Sequence, residues 1–501
     1  DYNGDGLPQE TEQLCASTSP FDTERCDLFD LPAGDYWVLV QNWASGISGS
    51  DQIVLLSAAV SPGDEHSLAA SGPGIIDEFE AFPVRLSWDN LKALPGETWV
   101  GAVGVSSQQQ RTNDQGVVPV IFNRTGFAEP ETFPLPSGIT RSLALDAGAS
   151  HDRMFIDVPP GMDTLTVSAS GESADQSNGL KLELFRMDFD AALADAPFAL
   201  PAPTGAPLAS ATGSGGNGPV VSVNVLEPGR WYAVLSNDGS TPAAIDVTAE
   251  AVSGQTPVSP RPGLWEPSSR LHLSQGFDFN VGGESSPVGT LIWYTYDEDG
   301  QPAWYISAAP MTGSNIWSAD LLRVTNDGAT QQLAPVGHVT VTALAEDDIL
   351  FSTTLFGESA TDRMMPISPG TCPQVAGSPA SYTGIWYRGV DGLGGASVEV
   401  NASNQAQVHY LFDDNGDPRW LLGAAEASSE TMGLLQFSGY CSVCAGTSAD
   451  VESTSVGLLE RTFDSNTTGS WTLDYVFEPP LGGSVTRTDA IIKLTNDVQC
   501  Q

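Results

Sequence analysis

Short runs in which apolar and polar residues alternate recur along almost the whole chain, separated by clusters of Gly, Pro, Asp, Asn and Ser. A period of two puts every second side chain on the same face of a strand, so the pattern predicts strands and leaves little room for helices. After the turn Gly34-Asp35, for example, Tyr36, Val38 and Val40 alternate with Trp37, Leu39 and Gln41. The stretch "FDAALADAPFAL" has some helical character, but Pro197 limits it to a turn or two because proline lacks the N–H that a helix interior needs. The expected fold class is all-β: tandem β-sandwiches followed by two related β-rich repeats.

Five segments follow from where the strand runs and turn clusters fall. Residues 1–60 carry "LPAGDYWVLVQNW" and "DQIVLLSAAV", which read as the closing strands of a sandwich. Residues 61–130 carry "FPVRLSWDNL", "TWVGAVGVSS" and "VVPVIFNRTG", the strands of a small immunoglobulin- or fibronectin-like sandwich. Residues 131–255 form a further sandwich, in which "LEPGRWYAVLSN" restates "LPAGDYWVLVQN" as an internal repeat at domain scale. The Pro-rich "SGQTPVSPRPG" leads out of it as a linker. Residues 256–368 and 369–501 are two copies of one β-domain, each opening on Gly-x-Trp: Gly263-Leu264-Trp265 and Gly384-Ile385-Trp386.

Each copy then carries an aromatic hairpin around an acidic turn. "WYTYDEDGQPAWY", from Trp293 to Tyr305, matches "HYLFDDNGDPRW", from His409 to Trp420, position for position. With Asp299-Gly300 and Asn415-Gly416 as two-residue type I′ loops, Thr295 pairs with Trp304, Tyr294 with Tyr305, Leu411 with Trp420 and Tyr410 with Leu421. Pro302 and Pro418 then fall at the first non-hydrogen-bonded pair, where a missing N–H is tolerated. Aromatic side chains occupy both faces, which fits core or interface packing. Trp293, Tyr294, Tyr296, Trp304 and Tyr305 could instead form a surface that grips a sugar or peptide. Trp293 becomes His409 and Tyr305 becomes Leu421, so the two copies do not preserve one ligand constellation.

Composition narrows the partners. The 501 residues suffice for roughly three to five domains. With 62 acidic and 19 basic residues the net charge is −43, which repels nucleic acid and anionic membrane alike. No apolar run approaches the ~18 residues of a membrane-spanning helix. The chain opens at Asp1 with neither an initiator Met nor a signal peptide, so it is expected to continue upstream. Six cysteines, an even count in a secreted-looking chain, predict three disulfides: Cys15–Cys26, Cys441–Cys444 and Cys372–Cys500. No second Cys or His pair accompanies "CSVC" to complete a zinc site.

"DYNGDGLPQETE" fits a calcium loop. Asp1, Asn3 and Asp5 offer side-chain oxygens, Gly6 permits the sharp turn, Leu7 offers a carbonyl, Gln9 an amide and Glu12 a bidentate carboxylate. Pro8 departs from the ordinary helix–loop–helix form. The other acidic turns, "DEDG" and "DDNGD", read as solvated hairpin tips. For nucleophilic catalysis the chain offers His66, His151, His272, His338 and His409, scattered over separate segments, and "GTSAD" around Ser448, which reads as a loop. No catalytic or cofactor-binding residue is assigned.

"DYNGDGLPQETEQLC" with "LPAGDYWVLVQNW" resembles the end of a bacterial pre-peptidase C-terminal domain. The strands from "SLAASGP" to "VVPVIFNRTG" are similar to the sandwich that follows it in secreted subtilisin-like (S8 family) serine peptidases. "GLWEPS", "GFDFNV" and "QFSGYCSVC" resemble a repeat at the C-termini of secreted bacterial proteins. The family's His, Asp and Ser motifs have no match in this chain. The resemblance implies a secreted, extracellular, non-catalytic accessory region. Its partners would be an upstream catalytic domain, which it positions, stabilises or tethers, or neighbouring β-domains. Two other readings stay open: an adhesin or self-assembling fibre subunit, and a carbohydrate-binding array that engages cell-surface glycan.

If the first loop binds calcium, adding the ion raises the melting temperature by linkage and a chelator reverses the gain. Asp5→Ala is expected to abolish that response in a thermal melt. An unchanged melting temperature with and without calcium, on a chain extended upstream, identifies an acidic turn instead.

Overall fold

A computed structural model describes the chain except residues 1–5, 8, 19–23, 30, 43–51, 56, 61–67, 77, 79, 108–112, 129–131, 188–202, 204, 226, 255–256, 269–273, 284, 313–314, 329, 368–370, 389–393, 445 and 498–501. It forms two compact units, Asp1–Gly63 with Thr98–Asn123, and Asp64–Glu97 with Arg124–Gln501. The regular structure of the described residues is almost entirely strand, as the alternation predicts. The candidate helix "FDAALADAPFAL" lies outside the described residues.

In the region expected as a small sandwich, two strand pairs are described. β1 (Leu68–Ser71) pairs with β2 (Arg85–Trp88) in the larger unit, and β3 (Thr98–Val105) pairs with β4 (Gly116–Asn123) in the smaller. The smaller unit also holds the Cys15–Cys26 disulfide, with Cα atoms 6.0 Å apart. The described residues of "LPAGDYWVLVQNW" and "DQIVLLSAAV" carry no assigned strand, and Trp37, Leu39 and Val54 are exposed. Alternation makes a face, but a strand also needs a neighbouring backbone to bond to.

The larger unit contains the sandwich predicted for residues 131–255. One sheet is ordered β10 (Ala209–Thr212), β9 (Leu180–Met187), β12 (Gly229–Asn237), β7 (Ser150–Val158), β5 (Phe133–Pro134). The facing sheet is ordered β11 (Val220–Asn224), β8 (Met162–Gly171), β13 (Ala243–Ser253), β6 (Thr140–Leu145). The short helix α1 (Ala174–Asn178) is capped by Ser173. Met154, Ile156, Leu165, Leu182, Trp231 and Ile245 fill the space between the sheets.

The two repeats are two closed eight-stranded barrels. The first runs β14 (Gly263–Pro267), β15 (Gly276–Gly282), β16 (Val288–Tyr296), β17 (Pro302–Pro310), β18 (Ile316–Asn326), β19 (Gln331–Ala345), β20 (Asp348–Leu355), β21 (Glu358–Pro366), and β14 closes on β21. A small pair, β22 (Gln374–Val375) with β23 (Ser378–Pro379), precedes the second. That barrel runs β24 (Gly384–Tyr387), β25 (Gly395–Val400), β26 (Asn404–Phe412), β27 (Pro418–Glu426), β28 (Thr431–Ser438), β29 (Glu452–Phe463), β30 (Thr468–Val476), β31 (Ser484–Lys493), and β24 closes on β31. Eight strands leave an interior that side chains fill, and closure removes sheet edges.

The Gly-x-Trp signature has a local cause. Gly263 and Gly384 take φ of +127° and +146°, where a side chain is strained. The tryptophan two residues on enters the barrel, and its indole N–H returns to a carbonyl four residues back. Trp265 donates to Arg261 O at 3.1 Å, and Trp386 to Tyr382 O at 2.8 Å.

Sandwich and first barrel abut. Asn315 Nδ2 donates to Pro160 O at 3.2 Å, and Ser352 Oγ to Asp157 Oδ2 at 3.4 Å. Asp157 itself accepts two bonds from Arg230, at 2.7 and 2.8 Å, which pairs both buried charges. The segment carrying β1 and β2 fastens the hairpin tips: Ile75 N–H donates to Asn415 O at 2.7 Å, and Arg85 pairs with Glu298 at 2.6 Å.

Candidate functional site: the joint between the barrels

Loop length decides where the hairpin aromatics point. The expected two-residue loops are three-residue loops. Asp297 N–H donates to Gln301 O at 2.8 Å, Gly300 N–H to Asp297 O at 3.1 Å, and Gly300 has φ +75°. In the second copy Asp413 N–H donates to Asp417 O at 3.1 Å, Gly416 N–H to Asp413 O at 2.9 Å, and Gly416 has φ +70°. This is a type I turn followed by a left-handed glycine. The register therefore moves by one: Tyr294 faces Trp304, Trp293 faces Tyr305 and Tyr410 faces Trp420. Pro302 and Pro418 each follow the closing bond, so they still sit at a non-hydrogen-bonded pair, opposite Tyr296 and Phe412.

The shift sorts the aromatics by face. Trp293 and Tyr305 point into the first barrel, 5.7 Å apart between ring centroids, with Trp293 edge-on to Phe351 at 5.4 Å. Tyr294, Tyr296 and Trp304 point outward, but onto the other barrel. All five are 0–5% exposed, so the candidate aromatic surface is not presented to a ligand. Sequence periodicity could not separate an outward face from a solvent face, because the covering element is the second repeat.

The contact is reciprocal. Trp304 packs on Tyr410 at 5.4 Å and Phe412 at 5.7 Å; its counterpart Trp420 packs on Tyr294 at 5.6 Å and Tyr296 at 5.7 Å. Trp304 Nε1 donates to Leu411 O at 3.1 Å, and Trp420 Nε1 to Thr295 O at 2.7 Å. Asn326 N–H donates to Gly416 O, and Gly439 N–H to Gly300 O, both at 2.9 Å. Equivalent residues thus meet across a pseudo-two-fold axis, the arrangement of an isologous dimer within one chain. Each aromatic pair contributes about 0.5–1.5 kcal/mol beyond its area burial.

The acidic hairpin tips, expected to be solvated, are built into the rim of this joint. Asp297 Oδ1 accepts from Gln301 N–H at 2.8 Å, and Asp413 Oδ1 from Asp417 N–H at 3.0 Å, so each carboxylate shapes its own turn. Their second oxygens accept from Arg419 at 2.8 Å each, and Arg323 reaches Asp417 at 2.7 Å. Deeper in the joint lie two carboxyls that sequence reasoning missed, Asp278 and Glu399. Burial pushes both up to about 7, against the hydrogen bonds each accepts. Their signal was a charged residue inside an apolar strand, in "GFDFNV" and "ASVEVN", which a solvent-facing position explains equally well.

The "CSVC" cysteines form the expected disulfide in the loop between β28 and β29. The loop brings Val443 against the first barrel's interior cluster. Cys372 is disulfide-bonded, and its expected partner Cys500 lies outside the described residues. Asp1, Asn3 and Asp5 of the calcium loop also lie outside them. Gly6 has φ +74°, Leu7 is exposed, and Gln9 precedes the 3-10 turn Glu10–Glu12. Among the described residues no three His, Cys, Asp or Glu side chains gather as metal ligands.

Among the described residues, no contact joins a histidine to Ser448. His151 is buried beside Phe133, and burial lowers it to about 4. His409 lies inside the second barrel against Trp471 at 5.0 Å, and burial lowers it to about 3. His338 stands 3.5 Å from Asp320, while His66 and His272 lie outside the described residues. Asp450 accepts from Thr447 N–H at 2.8 Å, which ties the carboxylate to the turn around Ser448. No protein-family model matches the chain, and no curated protein matches it.

A Cβ at Gly416 would meet Asn326 O of the other barrel, whereas one at Gly377, φ +82°, would meet nothing within 4 Å. Gly377→Ala is expected to cost about 1–2 kcal/mol from the left-handed backbone alone. Gly416→Ala is expected to cost about 1–3 kcal/mol more, because the joint must shift. Equal losses in urea unfolding would mean the tips do not carry the contact.

Proposed function

We propose that this chain is a non-catalytic accessory region of a secreted protein, a subtilisin-like serine peptidase, and that it positions, stabilises or tethers the catalytic domain. One observation carries the reading: the aromatic and acidic residues most suited to gripping a ligand are spent on fixing one barrel to the other. A sandwich and two barrels joined in this way make a spacer of defined geometry. The disulfides Cys15–Cys26 and Cys441–Cys444 suit an oxidising compartment, which supports the extracellular placement. Among the described residues no helix is long and apolar enough to cross a membrane. The peptidase assignment rests on the resemblance of the strand and turn motifs, and calcium at Asp1, Asn3, Asp5, Leu7, Gln9 and Glu12 belongs to the same proposal.

The fibre-subunit reading has its own support. Tyr36, Trp37, Val38, Leu39 and Val40 expose apolar side chains, which a second chain could cover. The glycan-array reading loses its main support with the burial of the five hairpin aromatics.

The purified chain is expected to leave casein and peptide substrates uncut and to resist labelling by a serine-directed fluorophosphonate. Stoichiometric label on Ser448 would overturn the proposal. Ordered fibres at micromolar concentration would replace it with the fibre-subunit reading.

A further inference from the structure

Asp278 on β15 and Glu399 on β25 come from corresponding strands of the two barrels, and both face the joint. They are 1% and 3% exposed. Asp278 accepts from Asn280 Nδ2 at 2.6 Å and from the Ser397 hydroxyl, whose oxygen lies 2.8 Å from the Tyr410 hydroxyl. Glu399 accepts from Leu264 N–H at 2.7 Å. Asp278 and Glu399 act on each other; Tyr294 on β16 and Tyr410 on β26 face Asp278, Arg261 ahead of β14 faces Glu399, and Glu266 on β14 acts on Tyr294. Arg261 stands 4.0 Å from Glu399, and the bonds Asp278 accepts come from uncharged donors. Ionising both carboxyls would therefore place two mutually repelling negative charges in an aromatic joint with one guanidinium nearby. Unpaired buried charge is costly, and a structure relieves it by admitting water.

We propose that Asp278 and Glu399 make the joint a proton-sensitive latch, closed when both carboxyls are protonated and loosened when they ionise. The barrels themselves stay folded, since their interiors contain neither group. The direction follows from linkage. Burial raises both groups from the ordinary carboxylate range to about 7, so the closed joint binds protons that the open one releases. The stabilisation is complete below that ordinary range and is lost as pH rises through about 7. A chain that enters acidic surroundings would stiffen at this joint and gain freedom on return to alkaline ones.

Hydroxyl-radical footprinting of the full chain, read by mass spectrometry across about pH 5 to 9, tests the latch. Trp304 and Trp420 lie in the joint, while Trp265 and Trp386 lie inside the barrels and serve as internal references. Oxidation of the joint pair relative to the references is expected to rise several-fold with a midpoint near neutrality. In Asp278→Asn/Glu399→Gln that rise should disappear. Should the double variant fail to fold, Glu399→Gln alone is expected to flatten the rise in part. A flat ratio in the unaltered chain, an undiminished rise in the variants, or a parallel rise at Trp265 would each overturn the proposal.

Discussion

The barrel pair depends on two indoles crossing a pseudo-two-fold axis. Trp304 enters the face of the second barrel between Tyr410 and Phe412, and Trp420 enters the first between Tyr294 and Tyr296. Each indole N–H finds a backbone carbonyl of the opposite barrel, so burying these large side chains leaves no polar atom of theirs unmatched. Once the two rings are placed, the hairpin tips must meet the backbone at Asn326 and Gly439, and Asp278 and Glu399 must be covered. A duplicated domain has met its own copy much as a homodimer does, with the symmetry relaxed wherever the sequences diverged.

Divergence marks what the joint tolerates. The outward pairs remain aromatic in both copies, while the inward Trp293–Tyr305 pair becomes His409–Leu421. An interior can be repacked by the strands around it, whereas a reciprocal contact must satisfy two surfaces at once. Arg419 has no basic counterpart, since Ala303 occupies the corresponding position, yet it collects Asp297 and Asp413 from the two tips. That asymmetry gives the rim a charge clamp that duplication alone would not supply.

The all-β class, the sandwich at 131–255, the two repeats and the hairpins were legible because alternation and Gly-Asp-Asn turns act locally. The register was not. Asp-Gly and Asn-Gly suit a type I′ turn, but Asp297 and Asp413 accept N–H groups two and four residues on and select the longer loop. An aspartate at that position in both copies was the available clue. Burial of the outward aromatics, of Asp278 and of Glu399 depends on a neighbour more than 100 residues away in sequence, which no local pattern encodes.

The central claim is that the joint makes the two barrels one cooperative body. Native-state hydrogen exchange in rising urea at about pH 5, where the latch is closed, tests it directly, because it reports each strand's opening separately. Amides of β16–β17 and β26–β27 are expected to lose protection together, in one step at the same urea concentration. Loss of protection in the second barrel while the first remains fully protected would contradict the account.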